Sequence, residues 1–445
     1  MSISLLRCGL ALAAAAPLVL SACTPYQRRD VDVAAHAELF RQRTAASVAI
    51  AADPNAPFDL ADGCSLREAE AIALVLNPGL RVGRAKLGVA EATAAESGRW
   101  SDPVLAADVT RVLESVAEPW KLAVSVGITL PLSGRLDAER WHDDAARDAE
   151  LLRVHAAEWS TRIAVRRAWV ERITAERRRA EIADAIGRVD GVARIAARLE
   201  ELGEIGRIEA RLFRIDIAVR RERLIGAEAA LADADLTLRA LLGLPAAAGI
   251  DFVGDLPEAN VGDDSHVRER LVTGSTEIAI ARADYEVAER TLALEVRKQY
   301  PDLTIGPGYG REDGNNQFLL GLSLPLPILN ANRQAIATAN AGRDLASTAL
   351  TSLIEEQILH LERAIVRHNA ALRRLQLFGD EVMPLAHSQF EDAKRVADLG
   401  EVDTLVLLES LTRRSDAQLA LLDAQRDAAL AALDIDLLVG PTHDR

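Results

Sequence analysis

Few residues of this chain stand in patterns that could do chemistry. Glu356 and His360 are spaced i, i+4, which sets two metal-ligating types on one helical face, and His142-Asp143-Asp144 gathers three more side chains of that kind. Neither group has a further ligand in view to close a coordination sphere, so both read as surface charge. Gly306-Pro307-Gly308-Tyr309-Gly310 has the glycine density of a phosphate loop. No Gly-Lys-Ser/Thr follows it, however, and it lies in an alternating segment. Neither a Gly-x-Ser-x-Gly elbow nor a paired cysteine motif is present for nucleophilic chemistry. The sequence therefore nominates no catalytic residue, no metal site and no cofactor.

One cysteine does carry a modification signal. Arg7, the apolar stretch from Gly9 to Leu20 and the ending Leu20-Ser21-Ala22-Cys23 form a secretory leader. The small residues before the cysteine resemble the bacterial lipobox, which makes Cys23 the expected lipidated first residue of the mature chain. The plainer alternative is a leader cleaved near Ala22 with Cys23 unmodified. A diacylated and N-acylated cysteine is a firm anchor, whereas one acyl chain binds a membrane only marginally. Thr24 is not aspartate, so by resemblance to sorted lipoproteins the destination is the outer membrane. With Cys8 removed and Cys23 modified, Cys64 stands alone and no intrachain disulfide is expected.

The elements that surround these residues are unlike those of an ordinary globule. Alanine, leucine, arginine and glutamate dominate the 445 residues and aromatics are only 4%, the composition of long helices packed on small side chains. The formal net charge is −15, which makes nucleic acid a poor partner. After the leader, no uninterrupted apolar stretch is long enough for a transmembrane helix.

Strict alternation appears four times instead. From Trp120 to Leu130 one face carries Trp120, Leu122, Val124, Val126, Ile128 and Leu130, opposite Lys121, Ala123, Ser125, Gly127 and Thr129. Gln317 to Leu326 alternates in the same way, and the partner strands are Val104 to Leu113 and Leu303 to Gly310. Each is about as long as a tilted transmembrane strand of roughly 9 to 11 residues. Trp100, Trp120, Tyr300, Tyr309 and Phe318 fall near strand ends, where interfacial aromatics belong. A half-buried sheet in a soluble protein would also alternate. Four strands cannot close a barrel, and an open edge in lipid leaves amides unsatisfied. Closure then requires copies of the chain, and three protomers would give a barrel of about 12 strands.

The chain also says the same thing twice, roughly 197 residues apart. Arg84-Ala85, Pro103 and Leu105 recur as Arg282-Ala283, Pro301 and Leu303, Leu130-Pro131-Leu132 as Leu324-Pro325-Leu326, and Leu202-Gly203-Glu204 as Leu399-Gly400-Glu401. The expected divisions are a leader 1–22, a lipid-anchored segment 23–65, a first repeat 66–261, a second repeat 262–440 and a tail 441–445. The first repeat holds a hairpin at about 104–130 and a helical pair at about 138–242; the second, a hairpin at about 303–326 and helices at about 332–439. The longest helices would reach about 100 Å. Gly187 and Pro384 coincide in the two copies and predict a shared bend. Leu405, Leu408, Leu411 and Leu419 suit coiled-coil-like packing of antiparallel helices.

Taken together, these residues resemble the TolC family of outer-membrane efflux factors over roughly Ser65 to Gly440. The marks are Ser65-Leu66-Arg67-Glu68-Ala69 leading to Asn77-Pro78-Gly79-Leu80, Pro103 and Pro301 before each hairpin, and the Leu-Gly-Glu turns. No single mark is specific; their order and duplication are. The resemblance implies a homotrimeric β-barrel of about 12 strands continued by a periplasmic α-helical barrel. It further implies a passive duct in a Gram-negative outer membrane, served by an inner-membrane pump and a periplasmic adaptor. The adaptor would meet Leu202, Gly203, Glu204 and Ile205 with Leu399, Gly400, Glu401 and Val402, and Glu209 and Glu409 would line the constriction. Val406 stands where the family carries a further acid, so the second turn offers one acid, Glu409, in place of two. Leu324 to Gln334 resembles the branch that serves heavy-metal cation pumps. Met383 is the last methionine left once the leader is gone, which argues against a dedicated copper path. The other class of reading is a structural envelope lipoprotein with no conducting lumen.

Overall fold

The computed structural model describes residues 26–52, 60, 62–114, 119–259, 261–312, 314–398 and 404–441. Contacts divide the chain into two units, Met1–Arg43 and Thr44–Arg445. In the first, helix α1 (Val33–Arg41) begins where the Asp32 carboxylate accepts from the Ala35 N–H at 2.9 Å, satisfying one of the amides a helix start leaves open. The guanidinium of Arg43 lies 5.2 Å from the centre of the Phe40 ring. Cys23 lies outside the described residues.

Among the described residues the second unit is mainly helical, with one four-stranded sheet. Its first half runs α2 (Ala45–Ala52), α3 (Leu66–Leu76), α4 (Pro78–Glu96), β1 (Val104–Arg111), β2 (Trp120–Leu130), α5 (Arg135–Leu202) and α6 (Arg207–Leu241). Its second half has α7 (Asp264–Gly274), α8 (Thr276–Lys298), β3 (Leu303–Glu312), β4 (Asn315–Ser323), α9 (Arg333–Leu377), α10 (Met383–Asp398) and α11 (Thr404–Val439). Among the described residues no helix is long and apolar enough to cross a membrane.

Local chemistry explains several sequence marks. Ser65 and Glu68 form a capping box that starts α3, satisfying two open amides reciprocally. Asn77 ends α3 and starts α4, accepting from the Leu80 N–H at 3.1 Å while its amide donates to the Leu241 carbonyl at 2.8 Å. Pro78 then occupies the first helical turn, where its missing N–H costs nothing. The Ser65 to Leu80 signature thus fixes where α6 ends against the start of α4.

Helix α5 has 68 residues, roughly 100 Å of helix at about 1.5 Å per residue, and it packs against α3, α4, α6, α8 and α11. A core forms where its middle meets the residues after α6. Trp169 and Phe252 meet edge to face, and Arg172 and Arg239 lie over the Phe252 ring while sharing the Asp235 carboxylate. The Arg239 guanidinium also donates to the Ile250 carbonyl at 2.7 Å. Cys64 is buried in this core, and burial, helped by the Glu68 carboxylate, pushes its thiol up to about 12. Along α11, small side chains such as Ala424, Ala428 and Ala432 are buried, which lets helix axes approach closely.

Two expectations are modified. Gly187 sits in the unbroken α5, whereas its counterpart Pro384 follows a π-helical turn, Phe378–Val382, in which the Met383 N–H reaches back to the Phe378 carbonyl. Proline offers no N–H to the carbonyl four residues earlier, and the wider turn absorbs that loss in one copy only. Of the α11 leucines singled out, Leu411 is buried but Leu405 is exposed, because the buried face runs through Leu407, Leu411, Ser415 and Leu422.

Candidate functional site

The sheet is antiparallel in the order β1-β2-β3-β4. Its register puts Val109 beside Leu122, Val124 beside Tyr309, Ile128 beside Ile305, Tyr309 beside Phe318 and Ile305 beside Leu322. Cross-strand partners share a face, so these pairs form one continuous apolar surface. Leu122, Val124, Val126, Ile128, Phe318, Leu320 and Leu322 are all exposed on it, which no soluble core accounts for. The opposite face carries Asp108, Lys121, Ser125, Thr129, Thr304, Glu312 and Gln317. There Thr129 and Thr304 meet hydroxyl to hydroxyl at 3.1 Å, and Lys121 pairs with Glu312.

Glycines pave much of the polar face, at 127, 306, 308, 310 and 321. At Gly308 a side-chain carbon would lie 2.7 Å from the Val124 carbonyl oxygen and 2.9 Å from the Ser125 Cβ. The glycine-rich segment that superficially resembles a phosphate loop is thus a strand that must let its neighbour approach. β4 starts earlier than alternation suggested, since Asn315 pairs with Glu312, and it stops at Ser323 because Pro325 has no N–H for a ladder. Among the described residues the outer edges of β1 and β4 pair with no strand, leaving rows of amides and carbonyls open at both sides.

The other candidate region is the end of α5. Gly203 has φ of 77°, its N–H donates to the Glu200 carbonyl at 3.1 Å, and the Glu204 N–H donates to the Leu199 carbonyl at 2.9 Å. This left-handed closure satisfies the last carbonyls of the helix. Leu202, Gly203 and Glu204 are exposed and Ile205 is half-buried. Their counterparts Leu399, Gly400, Glu401 and Val402 lie outside the described residues.

Glu209, in the first turn of α6, accepts from the Thr404 hydroxyl at 2.6 Å, and Thr404 itself is buried. The positive end of the α6 dipole favours a carboxylate there. Three turns on, the buried Arg220 holds Asp216 at 2.6 Å and the Thr412 hydroxyl at 2.9 Å. Glu409 is exposed and bound to Arg413 on its own helix at 2.7 Å. Below these contacts Val189, Ile217, Phe390, Leu407 and Leu411 form an apolar cluster among α5, α6, α10 and α11. The Thr404–Glu209 and Arg220–Thr412 contacts carry no signal in the sequence, since in each the partners lie more than 190 residues apart.

The side chains singled out as possible metal ligands pair locally, one pair exposed and one half-buried. Glu356 and His360 are 3.7 Å apart and His142 binds Asp143 at 2.8 Å. Among the described residues no group of three or more ligating side chains is present.

A four-stranded antiparallel sheet with an exposed apolar face, set between helices of this length, is the fold of the TolC-type outer-membrane channels. The chain superimposes on the outer-membrane channel OprN with a TM-score of 0.73 and 16% identity, covering 94% of this chain and 98% of that one. For the outer membrane protein VceC of Vibrio cholerae the TM-score is 0.70 at 16% identity, with 90% and 100% covered. For CusC, solved in a study of transmembrane channel formation, it is 0.68 at 14% identity, with 85% and 92% covered. In sequence, 254 residues are 25% identical to the cobalt-zinc-cadmium resistance protein CzcC of Cupriavidus metallidurans. That match spans 56% of this chain and 60% of the relative. No protein-family model matches.

Proposed function

We propose that the chain is the outer-membrane duct of a tripartite export system. In this reading three copies join β1 of one to β4 of the next, closing a barrel of about 12 strands. The observation that carries it is the two-faced sheet with two open edges: the apolar face suits lipid, the polar face suits water, and an edge left open in lipid costs several kcal/mol per unsatisfied group. A structural lipoprotein without a lumen would need neither face. Acylation of Cys23 would add a lipid anchor, and the helices would extend into the periplasm as two repeats, 66–261 and 262–440.

The turn at Leu202, Gly203, Glu204 and Ile205, with Leu399 to Val402, is the proposed inner tip for a periplasmic adaptor, and Glu209 and Glu409 are proposed to line the narrowing. Transport would be driven by an inner-membrane pump, with divalent heavy-metal cations as cargo; the similarity to CzcC supports that choice. Planar-bilayer recording of the purified protein tests the duct: steady conductance is expected, and a silent protein that still inserts would favour the structural alternative. Cross-linking should give a trimer. For the cargo, deletion of the gene should sensitise its host to zinc, cobalt or cadmium.

A further inference from the structure

The apolar face of the sheet carries just two charged side chains among the described strand residues, Arg111 on β1 and Arg311 on β3. Both are exposed, and both sit at the end of the sheet where the hairpins turn, away from the strand ends that lead into helices. The register fixes their surroundings. Arg111 pairs with Trp120, and its guanidinium lies 5.5 Å from the centre of that ring. Arg311 pairs with Leu122 on one side and Asn316 on the other, one step beyond the Tyr309–Phe318 pair. Their strands are separated only by β2, so their backbones run about 10 Å apart.

Neither arginine has a carboxylate partner among the described residues. The strand acids, Asp108 and Glu312, are on the opposite face, where Glu312 is engaged by Lys121. Glu114 lies past the end of β1 in the connecting loop. The opposite end of the apolar face, around Leu130, Leu303 and Ile305, bears no charge at all. A guanidinium facing hydrocarbon costs about 2 to 4 kcal/mol at mid-depth and close to nothing at the interface, so both must lie at headgroup level. An arginine there, with no carboxylate partner among the described residues, meets lipid phosphate, which it can bind through two parallel N–H···O bonds.

We propose that Arg111 and Arg311 form a binding site for the phosphate groups of the phosphorylated glycolipid in the outer leaflet. Trp120 and Tyr309 flank the headgroup, and the apolar band of Val109, Leu122 and Val124 receives its acyl chains. The proposal rests on the outer-membrane reading above. It adds a partner and a polarity: the anionic lipid is bound at the hairpin-turn rim alone, which holds that rim at the outer surface.

Purified full-length protein is inserted into phosphatidylcholine vesicles with and without bisphosphorylated lipid A, re-extracted in mild detergent, and its retained lipid counted by native mass spectrometry. The wild-type chain should retain lipid A, and Arg111→Gln with Arg311→Gln should weaken retention about 5-fold per arginine removed while inserting equally well into phosphatidylcholine. Lys121→Gln, which removes a charge from the other face, should retain as much as wild type. Equal retention by the double variant, or an equal loss in Lys121→Gln, would overturn the site. Failure of the wild-type chain to enter phosphatidylcholine vesicles would instead overturn the outer-membrane reading beneath it.

Discussion

Thr404 donates its hydroxyl proton to the Glu209 carboxylate at 2.6 Å, tying together the first turns of α6 and α11 across 195 residues of sequence. A hydrogen bond to a charged group contributes about 1.5 to 3 kcal/mol. Thr404→Val should therefore speed amide exchange in residues 204–212 by roughly ten-fold or more, measured by hydrogen-exchange mass spectrometry. Glu209→Gln and Glu409→Gln should each lower the preference for cations in single-channel recordings, because acidic rings favour cations. If selectivity does not change, both carboxylates belong to the outer helix surface.

The faces of the sheet make opposite demands. Val124→Arg and Leu322→Arg put a charge on the apolar side, at a cost of about 2 to 4 kcal/mol near the bilayer midplane, and should each reduce assembled trimer on a non-boiled gel. Ser125→Arg points to the polar side and should assemble better than either. Indistinguishable assembly of the three variants would contradict the assigned faces.

Two glycines with nearly the same backbone geometry should respond differently to alanine. Gly203 and Gly440 have φ of 77° and 79°, a conformation that costs an L-residue about 1 to 2 kcal/mol. Around Gly203 there is open space, whereas a Cβ at Gly440 would collide with the Gly274 carbonyl oxygen, and one at Gly274 would lie 2.5 Å from the Val439 carbonyl oxygen. Gly203→Ala should cost only the strain. Gly440→Ala and Gly274→Ala should lower thermal stability further, because the ends of α7 and α11 must separate.

Cys64 gives a pH-dependent prediction. Its thiol is held neutral by burial and by Glu68, with the folded pKa raised from 9.0 to about 12. The stabilisation that the neutral thiol provides is complete below pH 9 and is lost as pH rises from there towards 12. Alkylation by iodoacetamide at pH 8.5 should accordingly be negligible in the folded protein and fast after unfolding. Comparable rates in both states would place the thiol at the surface.

What the sequence determined by itself was local. Alternation at Trp120 to Leu130 has period 2 and needs no partner to be read, so the faces of the strands were legible. The Leu202-Gly203-Glu204 helix end was equally so, because a glycine in the left-handed region closes a helix through its own carbonyls. Even the Ser65 to Leu80 marks, read as family signature, are caps that a short window encodes. Tertiary structure decided what depends on distant neighbours. β2 pairs with β3 across the whole first helical pair, and this pairing, together with the register it sets, brings Arg111 and Arg311 to one rim with Trp120 between their strands. The Glu209–Thr404 bond and the buried Arg220 arise the same way, from helices whose packing brings together residues that no sequence spacing relates. Pro384 and Gly187 mark the boundary between the two kinds of knowledge. Their alignment located a weak point, but only the packed helices determined that one copy absorbs it in a π turn and the other continues unbroken.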